Sequence, residues 1–190
     1  MNVALVILAA GDSSRLGRPK QLVRVLGTTL LRRAAVTACA SRAADVIAVF
    51  GYDSRVMHAE LEGLRARVLE NPDWREGISS SVRAAVRGLL PVTDGVLFVT
   101  CDQPRLTVDH LNALIDAFER APDSPVASGY GGTAGVPVLF PRALFGELLS
   151  LEGDRGAQRV ALAHERDLVV IPWPDGTFDV DTPPDVSAHL

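Results

Sequence analysis

The chain has 190 residues, of which 47 % are hydrophobic and 22 % are charged, and its formal net charge at pH 7 is −4. These values are ordinary for a globular domain and exclude a wholly disordered chain. The net negative charge also argues against a nucleic-acid binder, which would carry an excess of basic residues. No apolar run reaches the ~20 residues of a membrane span, and the first residues lack the basic start of a signal peptide. We therefore expect a single domain over residues 1–190, cytoplasmic, with no nucleic-acid or membrane partner.

Short apolar runs alternate with helical periods along the first two thirds of the chain. The run Val3–Leu8 is apolar at every position, as in a strand that is buried on both faces. Ser79 or Ser80 is expected to cap the third helix, and Thr107 the fourth. The segments that follow the first strand are predicted as helix 29–43, strand Asp45–Phe50, helix Ser54–Leu64, strand Arg67–Leu69, helix Ser79–Leu90, strand Gly95–Thr100 and helix Val108–Arg120.

The last third of the chain begins with two successive strands. The predicted elements there are strands Pro125–Ser128 and Val136–Phe140, helices Arg142–Leu149 and Gln158–Ala163, and strand Leu168–Ile171. The overall alternation predicts a three-layer α/β/α fold around a mostly parallel, doubly wound (Rossmann-like) sheet, with a small antiparallel element beyond the sheet edge. Sites in such sheets lie at the carboxyl ends of strands, so the loops after Leu8 and Thr100 are the candidates.

The loop after the first strand has the parts of a phosphate cradle. Its glycines let the backbone approach an anion, its serines add hydroxyl donors, and Arg15 and Lys20 add two cations of different geometry. Lys20 is the only lysine beside 18 arginines. The loop has neither the P-loop nor the G-x-G-x-x-G pattern. Its spacing alone is compatible with either a phosphate site or a solvated loop.

Two acidic segments are candidates for a metal site. Asp102 follows a buried strand beside the first loop, where a carboxylate is well placed for Mg²⁺, although a simple turn before a helix has the same pattern. The segment 179–185 reads D-V-D-T-P-P-D, and its pattern alone is that of an acidic turn that caps a last short helix. Cys101 lacks a histidine at a supporting spacing, so we interpret it, like Cys39, as a small buried apolar residue of a reduced protein.

The first loop resembles the signature of the MobA-like nucleotidyltransferases, L-A-A-G-x-S-x-R-[ML]-G-x-x-K, and D-Q-P at 102–104 is similar to that family's metal-binding turn. The resemblance implies catalytic roles for Arg15, Lys20 and Asp102. It also implies a Mg²⁺ ion, with Mn²⁺ as the alternative, on Asp102 and Asp181. The implied nucleotide contacts in the first loop are Leu8, Ala9, Ala10, Gly11, Ser13, Arg15 and Lys20.

Further segments resemble the molybdenum-cofactor cytidylyltransferase branch of this family. N-P-D-W-R-E-G-I-S-S-S at 71–81 is similar to its N-P-x-W-x-x-G-[IM]-x-x-S pattern, although a plain helix cap is the competing interpretation. The segments at 135–140 and 153–158 are similar to the branch's G-[HN]-P-V-L-F and G-D-[RK]-G-A-R. Val136 departs from the first pattern, and Gln158 replaces the final arginine of the second. The implied nucleotide contacts are Gly77, Ser79, Ser80 and Ser81, and the implied acceptor contacts are Gln103, Gly135, Pro137, Asp154 and Arg155.

The reaction implied by the resemblance is transfer of CMP from CTP to the terminal phosphate of molybdopterin or the molybdenum cofactor, with release of pyrophosphate. A molybdoenzyme or its chaperone is the implied protein partner. Within the class, a GTP-dependent guanylyltransferase or another nucleotidyltransferase for small-molecule phosphates is the alternative. From other classes, an NAD(P)-dependent reductase and a non-catalytic cofactor-insertion partner stay open, because a fold does not fix a function.

Overall fold

The computed structural model describes residues 1–13 and 18–180. Two residues with an expected role, Arg15 and Asp181, lie outside these ranges. No helix in the described ranges is long and apolar enough to cross a membrane. The strands are β1 (Val3–Leu8), β2 (Arg24–Val25), β3 (Thr28–Thr29), β4 (Asp45–Phe50), β5 (Arg67–Glu70), β6 (Gly95–Thr100), β7 (Val126–Tyr130), β8 (Thr133–Pro141) and β9 (Val169–Pro172). The α-helices are α1 (Leu30–Ala40), α2 (Ser54–His58), α3 (Ile78–Arg87), α4 (Val108–Arg120), α5 (Phe145–Leu149) and α6 (Gln158–Ala163).

Seven of the described strands form one sheet in the order β5-β4-β1-β6-β8-β7-β9. Every strand runs parallel to β1 except β8, which pairs antiparallel with both β6 and β7. The carboxyl ends of β1, β4 and β6 therefore meet at one edge of the sheet. The loops that follow these strands are brought together at that edge, as is expected for an open parallel sheet.

Helices cover both faces of the sheet, and β1 shows why. Because successive side chains of a strand point to opposite faces, Leu5 and Ile7 pack against α1 and α4, whereas Ala4 and Val6 pack against α3, α5 and α6. Both faces of β1 are fully buried, which accounts for its unbroken apolar sequence. The three-layer α/β/α fold with a mostly parallel sheet is thus confirmed.

The antiparallel element lies inside the main sheet and not beyond its edge. β8 pairs with β6 over residues 95–98 and 138–141. It therefore lies between β6 and β7, which run parallel to each other, and not at an edge of the sheet. A second antiparallel pair, the short β2–β3 ribbon, falls in a stretch that the sequence pattern left unassigned. Strands of two residues are too short for a period-2 pattern, and this explains the omission.

Two predicted helices are shorter in the structure than their apolar pattern indicates. The segment after β4 is α-helical only over Ser54–His58 and continues as a 3-10 turn, and the segment after β8 starts with a 3-10 turn before α5. The expected cap of α3 is also wrong: Gly77 is its N-cap, with no side-chain cap bond, and Ser79 and Ser80 lie within the first turn. Thr107 caps α4 as expected, because its hydroxyl accepts from the His110 N–H.

Candidate active site

A cavity of ≈ 630 Å³ opens at the carboxyl edge of β1 and β6. Its walls come from the loop after β1, the start of α3, the end of β6 and one residue of the segment before α6. This is the place where the sequence pattern predicts a site, and the volume is in the range of small-molecule pockets. The lining residues are Leu8, Ala10, Gly11, Asp12, Ser13, Lys20, Gln21, Trp74, Arg75, Gly77, Ile78, Ser81, Thr100, Cys101, Asp102 and Asp154.

The loop after β1 is held in place by a buried glutamine. Gln21 is 1 % exposed, and its Nε2 donates to the carbonyl oxygens of Ala9 at 2.9 Å and Gly11 at 2.8 Å. Ser13 has a left-handed backbone with φ 57°, and its hydroxyl accepts from the Lys20 N–H at 2.9 Å. Hydrogen bonds therefore connect residues 9–13, the described start of the loop, to the segment that carries Lys20 and Gln21.

Lys20 and Asp102 meet at the cavity although they are 82 residues apart in sequence. The Lys20 Nζ lies 2.5 Å from Asp102 Oδ2, and the two side chains are 24 % and 16 % exposed. Each residue follows a parallel strand of the same sheet, and this topology brings a cation and a carboxylate together. The pair is partly desolvated, so its field on a bound ligand is screened less than that of a surface pair.

The segment that leads to Asp181 is docked beside Asp102. The Val180 N–H donates to the Asp102 carbonyl oxygen at 2.9 Å. Its side chain is fully buried in a small cluster with Val23, Val25 and Leu30, close to the Lys20 segment. Asp181 itself lies outside the described residues, but the residue that precedes it in sequence is hydrogen-bonded to the Asp102 turn.

The start of α3 forms the wall opposite Lys20. Gly77 has φ +102°, and a Cβ atom there would lie 2.4 Å from Asp154 Oδ1, so the glycine lets the segment carrying Asp154 approach the helix. Asn71 donates from Nδ2 to the hydroxyls of Ser80 at 2.9 Å and Ser81 at 3.0 Å. Gly77 and Ser81 line the cavity, whereas Ser79 and Ser80 are buried behind it and make hydrogen bonds within the protein.

This wall also contains Trp74, an aromatic residue to which the sequence pattern assigned no role. Trp74 lies on the cavity, packs edge-on against Tyr52 with ring centroids 5.5 Å apart, and has the Arg75 guanidinium 4.4 Å above its ring. Its presence in the N-P-x-W pattern was a signal for such a role. The sequence contained no motif that pointed to Gln21, although the backbone carbonyls of a tight loop always require hydrogen-bond donors.

The expected acceptor residues are not all at the cavity. Asp154 lines it, but Arg155 is exposed on the next position and does not. Gln103 donates from Nε2 to the Val136 carbonyl oxygen at 3.0 Å, behind the Asp102 turn. Gly135 is packed against the Tyr130 hydroxyl, and the Pro137 carbonyl oxygen accepts from Ser128, so these two residues are structural supports of β8 in this arrangement.

Among the described residues that line the cavity, the carboxylates offer oxygen ligands, and Cys101 contributes the one sulfur. Asp12, Asp102 and Asp154 contribute carboxylates, which suits a hard divalent cation such as Mg²⁺ or Mn²⁺. Burial, with the Asp102 carboxylate next to it, raises the pKa of the Cys101 thiol to about 12, so this thiol is a poor nucleophile. The residues described include no group of three or more His, Cys, Asp or Glu side chains that could hold a metal by themselves.

The chain matches one family model and several known proteins. Residues 5–168 match the MobA-like NTP transferase domain. The chain is 34 % identical to the purine catabolism protein PucB of Bacillus subtilis over 82 % of this chain and 78 % of that protein. It is 28 % identical to a probable molybdenum cofactor guanylyltransferase of Nostoc over 98 % and 89 % of the two chains, and 25 % identical to the molybdenum cofactor cytidylyltransferase of Escherichia coli over 95 % and 91 %.

Solved structures of related sequence have a similar fold over nearly the whole chain. The crystal structure of Rv0371c from Mycobacterium tuberculosis H37Rv superposes with a TM-score of 0.85 at 26 % identity, covering 99 % of this chain and 97 % of that one. A structure of the same protein in complex with manganese superposes with a TM-score of 0.80 at 27 % identity, covering 100 % and 98 %.

Proposed function

The chain belongs to the MobA-like NTP transferase family, and from this premise we propose that it transfers CMP from CTP to the terminal phosphate of molybdopterin or the molybdenum cofactor, releasing pyrophosphate. The observation that carries the proposal is the Lys20–Asp102 pair at the mouth of the cavity, against a loop with the family's phosphate-binding pattern. The relatives that match nearly the whole chain include a cytidylyltransferase and a guanylyltransferase of the molybdenum cofactor, and both support this acceptor class.

The phosphate end of the nucleotide belongs between the loop after β1 and Lys20. The Lys20 ammonium is a compact cation that can neutralise charge on the departing pyrophosphate, and we assign the same task to Arg15. Gln21 and Ser13 hold the described start of the loop, residues 9–13, in the absence of a ligand, so this part needs little reorganisation when the phosphates bind. The main contribution of this loop is therefore positioning and electrostatic stabilisation.

Asp102 and Asp181 are the residues that we propose for the metal. The docking of Val180 on the Asp102 carbonyl oxygen supports this pairing, because Asp181 is the next residue in the chain. The hard oxygen ligands of the cavity fit Mg²⁺ or Mn²⁺. When bound, such an ion neutralises charge on the phosphate oxygens. Asp102 would then hold the ion, and in the structure its Oδ2 also pairs with the Lys20 ammonium.

The base belongs at the wall formed by the start of α3. Trp74 offers a flat apolar surface, and Ser81 offers a hydroxyl. Ala10 is 4 % exposed, packs in the core and is also among the residues that line the cavity.

The attacking group is a phosphate oxygen, which needs no strong base. A phosphomonoester with a second pKa near 6 is largely ionised at pH 7. The chain's task is to hold this oxygen in line with the α-phosphorus and to shield the like charges from each other. Asp154 is the described residue best placed to orient the acceptor, with Arg155, Gln103, Gly135 and Pro137 as the remaining proposed contacts or supports.

A substrate screen tests the proposal. The full chain is mixed with each of CTP, GTP, ATP and UTP, with molybdopterin or its molybdenum form, and with Mg²⁺ or Mn²⁺, and pyrophosphate release is measured. We expect release with CTP and the pterin phosphate only when both are present. Release with GTP in place of CTP would support the guanylyltransferase alternative. Nicotinamide fluorescence changes on mixing with NAD(P)H, without any pyrophosphate, would favour the reductase.

Asp102→Asn is the matching variant. It keeps the shape of the side chain and removes the charge that faces Lys20, so we expect the transfer rate to fall by ~10²–10³ or more. Asp123→Asn serves as the control, because Asp123 is exposed after α4, at the opposite end of the sheet. Equal rates in the two variants would contradict the role of Asp102, whatever the substrate screen shows.

A further inference from the structure

The guanidinium of Arg83 lies behind the cavity wall that the start of α3 forms. Arg83 is on α3, its side chain is 15 % exposed, and it lies outside the described lining of the cavity. We propose that Arg83 is a positioning residue that sets the distance between the nucleotide site and the acceptor site. This inference rests on the proposed function, and Arg83 acts in it through the residues that it holds and not by contact with substrate.

One guanidinium group connects three segments of the chain. Its Nη1 donates to the Ser79 hydroxyl at 3.1 Å and to the Leu151 carbonyl oxygen at 2.6 Å, and its Nη2 donates to the Glu76 carboxylate. Leu151 is 68 residues away in sequence, so its contact joins α3 to residues 151–154, the acceptor segment. A guanidinium carries several N–H donors in one plane and can therefore serve partners that lie in different directions.

Each of these three segments also contributes to the cavity wall. The turn that ends at Glu76 contributes Trp74, the start of α3 contributes Ser81, and the acceptor segment contributes Asp154. In the proposed function Trp74 and Ser81 border the base, and Asp154 orients the acceptor. The same guanidinium therefore supports both sides of the reaction.

The acceptor segment is attached to the protein independently of Arg83. Leu151 is 7 % exposed and packs in the core, and the Ser79 N–H donates to the Gly153 carbonyl oxygen at 3.2 Å. Residues 152–155, by contrast, are exposed, so burial contributes little to the position of Asp154. Without the Arg83 bond we expect the segment to stay attached and to change its position. The main effect of removing Arg83 should therefore be on substrate placement.

The transfer reaction is sensitive to such a change in position. A phosphate oxygen of the acceptor forms a bond to the α-phosphorus of the nucleotide while the bond to the leaving pyrophosphate breaks, and the three atoms must lie in line. A misplacement of about 1 Å can cost a factor of ~10² in rate. A guanidinium that is bonded to the base wall and to the acceptor segment thus sets a distance on which the rate depends.

Steady-state pyrophosphate release tests the proposal, with the nucleotide and acceptor that the wild type uses in the substrate screen. Arg83→Met removes the hydrogen bonds and keeps much of the apolar length of the side chain. Arg87→Met is the matched control, because Arg87 lies one turn later on the same helix and is exposed. In Arg83→Met we expect the KM for the acceptor to rise about tenfold or more and kcat to fall by a similar factor. Arg87→Met should stay near the wild-type values.

Two further variants separate the partners of the guanidinium. Glu76→Ala removes the bond to the turn that carries Trp74 and leaves the bond to Leu151. The KM for the nucleotide should then rise about threefold while the KM for the acceptor stays unchanged. Arg83→Lys can keep one partner, so its acceptor KM should rise less than that of Arg83→Met. It decides the test if a melting curve shows that Arg83→Met is unfolded.

The outcomes distinguish this inference from the proposed function. No release by the wild type with any nucleotide would overturn the proposed function and this inference with it. Release by the wild type, with equal acceptor KM values in Arg83→Met and Arg87→Met, would overturn the inference alone. A lower kcat with both KM values unchanged would indicate a loss of folded protein and not of position, and it would also overturn the inference.

Discussion

At the scale of the residue, the choice between lysine and arginine is the most informative feature. The chain uses arginine at 18 of its 19 basic positions, and the exception, Lys20, is the residue whose ammonium lies 2.5 Å from Asp102. An ammonium is a compact, strongly hydrated point charge, whereas a guanidinium is a planar fork that extends farther from the backbone. The space between the loop after β1 and Asp102 therefore suits the smaller group.

Lys20→Arg should lower transfer although it keeps the charge. The larger planar group cannot take the same position beside Asp102, so we expect a fall in the transfer rate of about tenfold or more. The comparison is with Arg87→Lys, the reverse change at an exposed position at the end of α3. Steady-state pyrophosphate release measures both. Normal kinetics in Lys20→Arg would show that the lone lysine has no functional meaning.

At the scale of the element, two local devices shape the cavity. One is the buried amide of Gln21, which holds two carbonyl oxygens of the loop after β1. The other is Gly77, whose positive φ starts α3 and lets the Gly153–Asp154 segment pack against the helix; the Ser79 N–H donates to the Gly153 carbonyl oxygen at 3.2 Å. Both devices set the shape of a wall, and neither supplies reactive chemistry.

Gln21→Glu should loosen the loop while keeping the size of the side chain. An ionised carboxylate cannot donate, so the carbonyl oxygens of Ala9 and Gly11 lose their partner. We expect the KM for the nucleotide to rise about tenfold with a smaller change in kcat, because the loop binds and positions phosphates. The free energy of unfolding should fall by about 1–3 kcal/mol. An unchanged KM would contradict a positioning role for Gln21.

Gly77→Ala should destabilise the protein. A backbone with φ +102° and ψ −179° is accessible essentially only to glycine, and a Cβ atom would meet the Gly153 carbonyl oxygen at 2.6 Å. We expect a loss of about 1–3 kcal/mol in urea unfolding. Gly146→Ala is the control, since a Cβ atom there meets nothing within 4 Å and its φ is not in the left-handed range. Similar stability of both variants would refute the constraint at Gly77.

At the scale of the whole molecule, a buried histidine joins the antiparallel part of the sheet to α4. His110 stacks on Trp173 with ring centroids 4.7 Å apart, and its Nε2 lies 2.8 Å from the Ser128 hydroxyl. That hydroxyl donates to the Pro137 carbonyl oxygen, so Nε2 must be the donor toward Ser128. Burial lowers the pKa of His110 from 6.5 to about 4, and the neutral ring is the folded form.

This histidine predicts a loss of stability in mild acid. Because the pKa of His110 is lower in the folded than in the unfolded chain, its contribution is complete above pH 6.5 and is lost as the pH falls toward 4. Between pH 7 and pH 4.5 the free energy of unfolding should drop by roughly 2–3 kcal/mol more in the wild type than in His110→Gln, which cannot take up a proton. Urea unfolding at both pH values measures the difference, and an equal drop would contradict it.

Much of the fold could be predicted because it follows from local pattern. The unbroken apolar run of β1 requires a strand buried on both faces, and Thr107 caps α4 because a threonine before a helix can accept from its first N–H groups. The cap of α3 could not be found in this way. Gly77 occupies that place because the Gly153–Asp154 segment, 76 residues away, packs against the helix start, and no local pattern contains that contact.

By itself the sequence determined the layer order, the two strand ends that carry the candidate site and the family motif, since these depend on side-chain periodicity and on short contiguous segments. Only the tertiary structure decided that Lys20 contacts Asp102, that Trp74 stands in the wall while Ser79 and Ser80 lie behind it, and that β8 enters the sheet. These features depend on which distant segments pack together, and packing is a property of the whole chain's buried surface, which no single segment encodes.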